Sequence, residues 1–243
     1  MEGMNCSIEN PAEIAGKMKI FYVGCILAML STIFTLLTGV LPFCGLPIGL
    51  DSMFQALLSV AVVVALASYV VQFICCIRLR KYNEKLGDAL VFFVLYAVCG
   101  ILLYWVNELG LPLMVFCLLY YRYLYKGLAG LCEPFPEIAK KWSRLFLILV
   151  VSIAAGVIIF LVIMKIWSAS ALGGEEHVNG FAAILMILVM AYYIGLAAMG
   201  IMLIPQFLAT LYAKRSRKAF AEAAMAGEEA TAEETAGDET QDN

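Results

Sequence analysis

Long stretches without a single charged side chain constrain this 243-residue chain more than any other feature. They run from Ile20 to Leu50, Ser52 to Ile77, Ala89 to Asn107, Leu109 to Tyr121, Leu145 to Met164 and Val178 to Ala213. A bilayer-spanning helix needs about 20 mostly apolar residues, because the hydrocarbon layer is roughly 30 Å thick and each residue rises about 1.5 Å. A water-soluble core does not fit such runs, nor does a composition of 63% hydrophobic and 14% charged residues with a mean hydropathy of +0.92.

The runs predict an all-α fold: a polytopic membrane protein, a bundle of six transmembrane helices. Its spans lie near 18–41, 52–77, 87–106, 109–126, 142–167 and 179–205, the last continuing to about 213. Pro42, Gly45, Pro47 and Gly49 end the first helix in an apolar loop. The last run, 36 residues or about 54 Å as helix, overshoots the bilayer, and Pro205 is its natural bend. Residues 1–16 form a cytoplasmic segment, 17–218 the membrane domain and 219–243 an acidic tail.

Charge sets the orientation. With a cytoplasmic amino terminus and six crossings, the inner side holds Lys17, Lys19, Arg78, Arg80, Lys81, Lys85, Arg122, Lys126, Lys140, Lys141, Arg144, Lys214, Arg215, Arg217 and Lys218. Lys165 alone of the sixteen basic residues lies near the outer face, which matches the positive-inside rule. The fourth segment has only thirteen charge-free residues, a length that also suits a re-entrant piece. Removing it as a span would leave seven basic residues inside and nine outside, so charge argues that it crosses. Trp105, Trp142 and Trp167 fall at predicted span ends, where indoles anchor at the interface. The expected location is the cell membrane, multi-pass, with both termini cytoplasmic.

Asn10-Pro11-Ala12-Glu13 has the form of a capping box with proline at the first helical position, which predicts a short cytoplasmic helix leading into the first span. Glu222 to Asp242 carries eight acidic residues and no basic ones, which predicts a disordered tail. Between Pro205 and that tail, Lys214, Arg215, Arg217 and Lys218 alternate with apolar residues, the pattern of a helix end emerging among anionic headgroups.

Small residues line the helix faces that should pack. Gly24, Ala28, Ser31, Thr35 and Thr38 follow a 4-3-4-3 spacing, as do Ala61, Ala65, Ser68, Gln72 and Cys75; the sixth span carries Ala191, Gly195 and Ala198, and the fifth Ser152 and Gly156. In lipid, helices associate through close backbone approach and a few interhelical hydrogen bonds, so these faces are expected to point into the bundle. A polar path along Ser31, Thr35 and Thr38 is the competing reading. Cys75 and Cys76 point about 100° apart on a helix and read as small buried thiols rather than a chelating pair. His177 beside Glu175 and Glu176 reads as a solvated acidic loop.

The signatures of hydrolases and phosphate-binding loops are missing: there is no HExxH, GxSxG or P-loop, and no acidic pair lies deep in a span. No catalytic, cofactor-binding or metal-binding residue is assigned. The best candidate for an intramembrane polar cluster is Arg122 with Asp88, joined by Gln72 or Gln206. The competing reading has Arg122 reaching alone to the headgroups. Tyr120, Tyr121, Tyr123 and Tyr125 beside it read as inner-interface anchors and helix contacts. Three classes of function stay open: a non-enzymatic scaffold, accessory or regulatory membrane subunit; a channel or transporter for an apolar or weakly polar solute or lipid; and a lipid-acting enzyme using Asp88, Glu133 and Glu137. Expected partners are membrane lipids and a membrane protein or a second copy as homo-oligomer; nucleic acid is not one, and no cofactor is implied.

Overall fold

The computed structural model describes residues 10–40, 51–102, 106, 109–172 and 180–238, with side chains described for part of these. All regular structure there is helical: α1 (Pro11–Val40), α2 (Asp51–Leu79), α3 (Glu84–Leu102), α4 (Gly110–Leu131), α5 (Pro136–Leu172) and α6 (Gly180–Asp238). Among the described residues four stretches are long and apolar enough to cross a membrane, Pro11–Thr38, Gln55–Leu79, Glu84–Leu102 and Pro136–Ile159. Helices of this kind belong to an integral membrane protein, because a long apolar helix with its few charges near one end satisfies its backbone internally and loses little in lipid. The fourth helix is not among the four: Arg122, Lys126 and four tyrosines dilute its apolar character.

The helices outrun the charge-free stretches that locate them. The first begins seven residues before the predicted span, where Pro11 supplies a preset φ and Asn10 Oδ1 accepts a long bond from the Glu13 N–H at 3.4 Å. The short cytoplasmic helix expected to lead into the first span is continuous with it, as the start of one helix. Asn83 Oδ1 likewise accepts from the Lys85 N–H at 3.0 Å as α3 begins, and Pro136 opens α5. The largest departure is α6, whose 59 residues continue as helix to Asp238 where a disordered tail from residue 219 is expected. Residues 219–238 are rich in Ala and Glu, among the best helix formers, and the preceding helix spares them the cost of nucleation. Pro205 lies inside this helix.

The chain divides into two compact units. The first comprises Met1–Ile26, Ser68–Phe146 and Ala209–Asn243. Within it α3 and α4 form an antiparallel hairpin: Gly100 faces Leu113 at one end and Gly127 faces Leu86 at the other. A Cβ at Gly127 would come within 2.7 Å of two Leu86 side-chain atoms, so the hairpin's spacing depends on that glycine. Met18, Phe21, Cys76, Leu79, Leu86, Leu124, Leu128, Trp142, Leu145 and Phe220 are buried there.

The second unit comprises Leu27–Ala67 and Leu147–Leu208. Here the Ser31 hydroxyl donates to the Ala61 carbonyl at 3.0 Å, tying α1 to α2, and Leu149, Ser152 and Gly156 are buried along one face of α5. Three threonine hydroxyls of α1 return to their own helix: Thr32 donates to the Ala28 carbonyl, Thr35 to Ser31 and Thr38 to Thr35. Ala28, Thr35 and Ala65 are half-buried. Ala191, Gly195 and Ala198 lie outside the residues whose side chains are described, as does Trp167. Trp105 and the loop holding Glu175, Glu176 and His177 lie outside the described residues altogether.

Candidate functional site

Three polar assemblies stand out in the first unit, each positioned by two or more helices. The deepest joins α1, α2 and α4. Gly24 has no side chain, so α2 approaches closely; its carbonyl accepts the Ser68 hydroxyl at 2.9 Å and, at 3.5 Å, the Gln72 amide. Gln72 Nε2 also donates to Ser68 Oγ at 3.0 Å, while its Oε1 accepts the Tyr120 hydroxyl at 3.2 Å. Both side chains are buried, at 6% and 2% exposure, which makes this chain of bonds an internal brace. Aromatic rings flank it, with Tyr120 edge-on to Phe93 at 5.2 Å and Phe93 stacked on Phe73 at 5.3 Å.

Of the four residues proposed as a polar cluster, only Gln72 enters this brace. Arg122 and Asp88 are both exposed and make no ion pair with one another. Gln206 is half-buried in the second unit. Tyr120 supplies the partner that Gln72 needs; its place in a tyrosine-rich stretch conceals it, because Tyr121 and Tyr123 nearby are only half-buried.

The second assembly ties the start of α1 to the α2–α3 turn. A single Glu13 oxygen accepts Lys17 Nζ at 2.6 Å and Lys81 Nζ at 2.7 Å, and both ammonium groups lie over the Tyr82 ring, 4.8 and 4.7 Å from its centre. The Glu13 carboxylate thus joins α1 to the α2–α3 turn through its two lysines. Its hydrogen bond holds the Lys81 ammonium above the ordinary lysine range, with Tyr82 adding to the effect.

The third assembly centres on Ser216 in α6, which is fully buried. Its Oγ accepts the Trp142 indole N–H at 2.9 Å and the Cys132 thiol at 3.4 Å, and donates to the Tyr212 carbonyl at 2.8 Å. Ala209, Ala213, Ser216 and Phe220 form a buried stripe at 4-3-4 spacing, and Lys214, Arg215, Arg217 and Lys218 between them are exposed. Trp142 has no exposure at all, so it is not the interfacial anchor that its place at a span end suggested. Its indole has an internal hydrogen-bond partner and packs against Phe21, Tyr125 and Tyr212 at 5.8 to 6.1 Å, which outweighs a headgroup position. Burial pushes the Cys132 thiol up to about 11.

Cys75 and Cys76 are buried as well, with Cys75 Sγ 3.3 Å from the Lys17 carbonyl. Among the described residues no three His, Cys, Asp or Glu side chains converge as a metal site requires. The second unit has an open apolar groove of about 400 Å³, lined by Met29, Ile33, Leu203, Ile204, Phe207 and Leu208. No protein-family model, curated protein or solved structure matches the chain.

Proposed function

We propose that this chain is a six-span protein of the cell membrane with both termini cytoplasmic, serving as a non-enzymatic scaffold, accessory or regulatory membrane subunit. One observation carries the reading: six buried polar side chains are spent on holding helices together. Ser31, Ser68, Gln72, Tyr120, Trp142 and Ser216 all use their hydrogen bonds on neighbouring helices or on the backbone. A polar group in hydrocarbon is costly unless bonded, so such a set stabilises one packing rather than waiting for a solute. The distribution of basic residues and the apolar start of α4 support counting α4 and α6 as spans.

The test is to extract the tagged chain in native-lipid discs and identify by mass spectrometry what accompanies it stoichiometrically. A reproducible protein partner supports the reading; a chain recovered alone with one enriched lipid or small molecule overturns it. Reporter fusions after Asn83, Glu108, Glu133 and Glu175 test the topology separately, with six spans requiring inside, outside, inside, outside. The apolar groove favours a second reading, a channel or transporter for an apolar solute or lipid. Its six lining side chains present only hydrocarbon and thioether surface, which accepts an acyl chain without leaving any polar group unpaired.

A further inference from the structure

Asp88 is exposed near the start of α3, immediately before the charge-free run that begins at Ala89. Among the described residues it forms no ion pair. A lysine or arginine at the edge of the hydrocarbon reaches the headgroups along its stem, but an aspartate is too short to do so. An acidic group there is stabilised by a cation brought to it.

The register of the α3–α4 hairpin shows where such a cation stands. Gly127 faces Leu86 and Gly100 faces Leu113, which puts Asp88 level with Tyr125, one residue from Lys126. Phe92 stacks on Tyr123 with ring centres 5.1 Å apart, so these two rings mark one flank of the hairpin. Asp88 precedes Phe92 by four residues and Lys126 follows Tyr123 by three, turns of about 40° and 60°, so both charges belong to that flank. Arg122 lies about 40° further round α4 and stands at the flank's edge. Lys126 is exposed and, like Asp88, forms no ion pair among the described residues. Leu95 on α3 and Val115 on α4 continue the flank as exposed apolar surface.

Two copies inserted in one membrane in the same direction are related by a two-fold axis along its normal, so each residue meets the other copy at its own depth. About such an axis this flank packs on itself, with α3 of one copy against α4 of the other. Asp88 then faces Lys126 of the second copy, and Lys126 faces that copy's Asp88. The flank is thereby self-complementary in charge. Its apolar part gains little by leaving lipid, so the two ion pairs select the partner.

We infer that the Asp88–Lys126 flank of the α3–α4 hairpin is a two-fold interface with a second copy of this chain. The inference deepens the scaffold reading by naming one partner. It takes from that reading only that copies share one orientation in the membrane.

The experiment co-expresses two copies of the full chain with different tags, captures one tag from mild detergent and quantifies the other. Wild-type copies are expected to recover each other. D88K with D88K, and K126D with K126D, place like charges at both contacts. Two pairs of the average strength of interhelical bonds in membranes correspond to about sevenfold in the dimerisation constant, so each of these pairings should lose at least that much. D88K with K126D restores both pairs in trans, and recovery should return to the wild-type level. Both substitutions are at exposed positions, and unchanged melting temperatures check that the variants fold. E133K, exposed just beyond α4, should leave recovery unchanged. Absence of recovery between wild-type copies overturns the interface, as does equal recovery in every pairing. An equal loss from E133K would mean diffuse charge and overturn it too. Rescue by the double variant D88K/K126D but not by the mixed single variants would mean that the two residues pair within one chain, and would overturn the two-fold arrangement. A foreign partner found or missed in the lipid discs leaves these ratios untouched, so failure of the scaffold reading and failure of the interface are distinguishable.

Discussion

Replacing Tyr120 by phenylalanine removes one oxygen and nothing else, which makes it the most direct probe of the buried brace. The hydroxyl lies in a residue 2% exposed and donates to Gln72 Oε1 at 3.2 Å. Without it the amide oxygen of Gln72, itself 6% exposed, loses the donor that the brace provides. Leaving a buried acceptor unsatisfied costs about 1–3 kcal/mol, whereas helix-to-helix bonds in membranes couple by about 0.6 kcal/mol on average and up to about 1.7. The single substitution is therefore expected to cost about 1–2 kcal/mol, of which a cycle with Gln72→Leu recovers the coupling part. Converted with soluble-domain values for a chain of this size, that cost lowers the melting temperature by roughly 2–8 °C. The assay is thermal unfolding in one detergent of wild type, Y120F, Q72L and the double variant. Melting temperatures within about 1 °C for wild type and Y120F, together with coupling below about 0.3 kcal/mol, would refute the claim that this bond braces α2 against α4.

Gly127→Ala is expected to destabilise by about 1–3 kcal/mol through the Leu86 overlap, while Gly87→Ala, with nothing within 4 Å, gains up to about 1 kcal/mol of helix propensity. Equal melting temperatures for the two variants would sink the argument for close α3–α4 approach. Cys132 should resist maleimide at pH 8 in the folded protein, since it is fully buried and its thiol is pushed up to about 11; labelling before unfolding would contradict that burial. Glu13→Gln should lower the melting temperature at neutral pH by releasing Lys17 and Lys81. Lys81 is raised in the folded state, so its contribution is complete below the unfolded lysine value of about 10.4 and fades only above it. A difference between wild type and variant that has already vanished at pH 9 would refute this assignment.

The local helical order follows from the sequence without any tertiary information. A charge-free run of about 20 residues has one favourable state in lipid, a helix, so the positions of α1, α2, α3 and α5 are legible from charge alone. Helix ends are less so, because charged residues such as Lys17 in α1, Lys140 in α5 and Glu222 in α6 are good helix formers and continue a helix past the apolar run. The same applies to the acidic segment 219–238, where charge argues for disorder and Ala-Glu propensity argues for helix.

Pairing between side chains is what only the tertiary structure decided. Gln72 is readable as an unusual polar residue on a small-residue face, but whether it meets Arg122 or Tyr120 depends on the rotation of α4, and a single helix carries both residues 200° apart. Trp142 at a span end looks like an interfacial anchor until Ser216, 74 residues later, supplies an acceptor for its N–H. Glu13 caps its own helix by local pattern, yet its carboxylate joins Lys81 across 68 residues. Periodicity reports which face of a helix is apolar, because that depends on neighbours three and four residues away. Which buried donor finds which acceptor depends on helix rotation and register between distant segments, and those are set by packing.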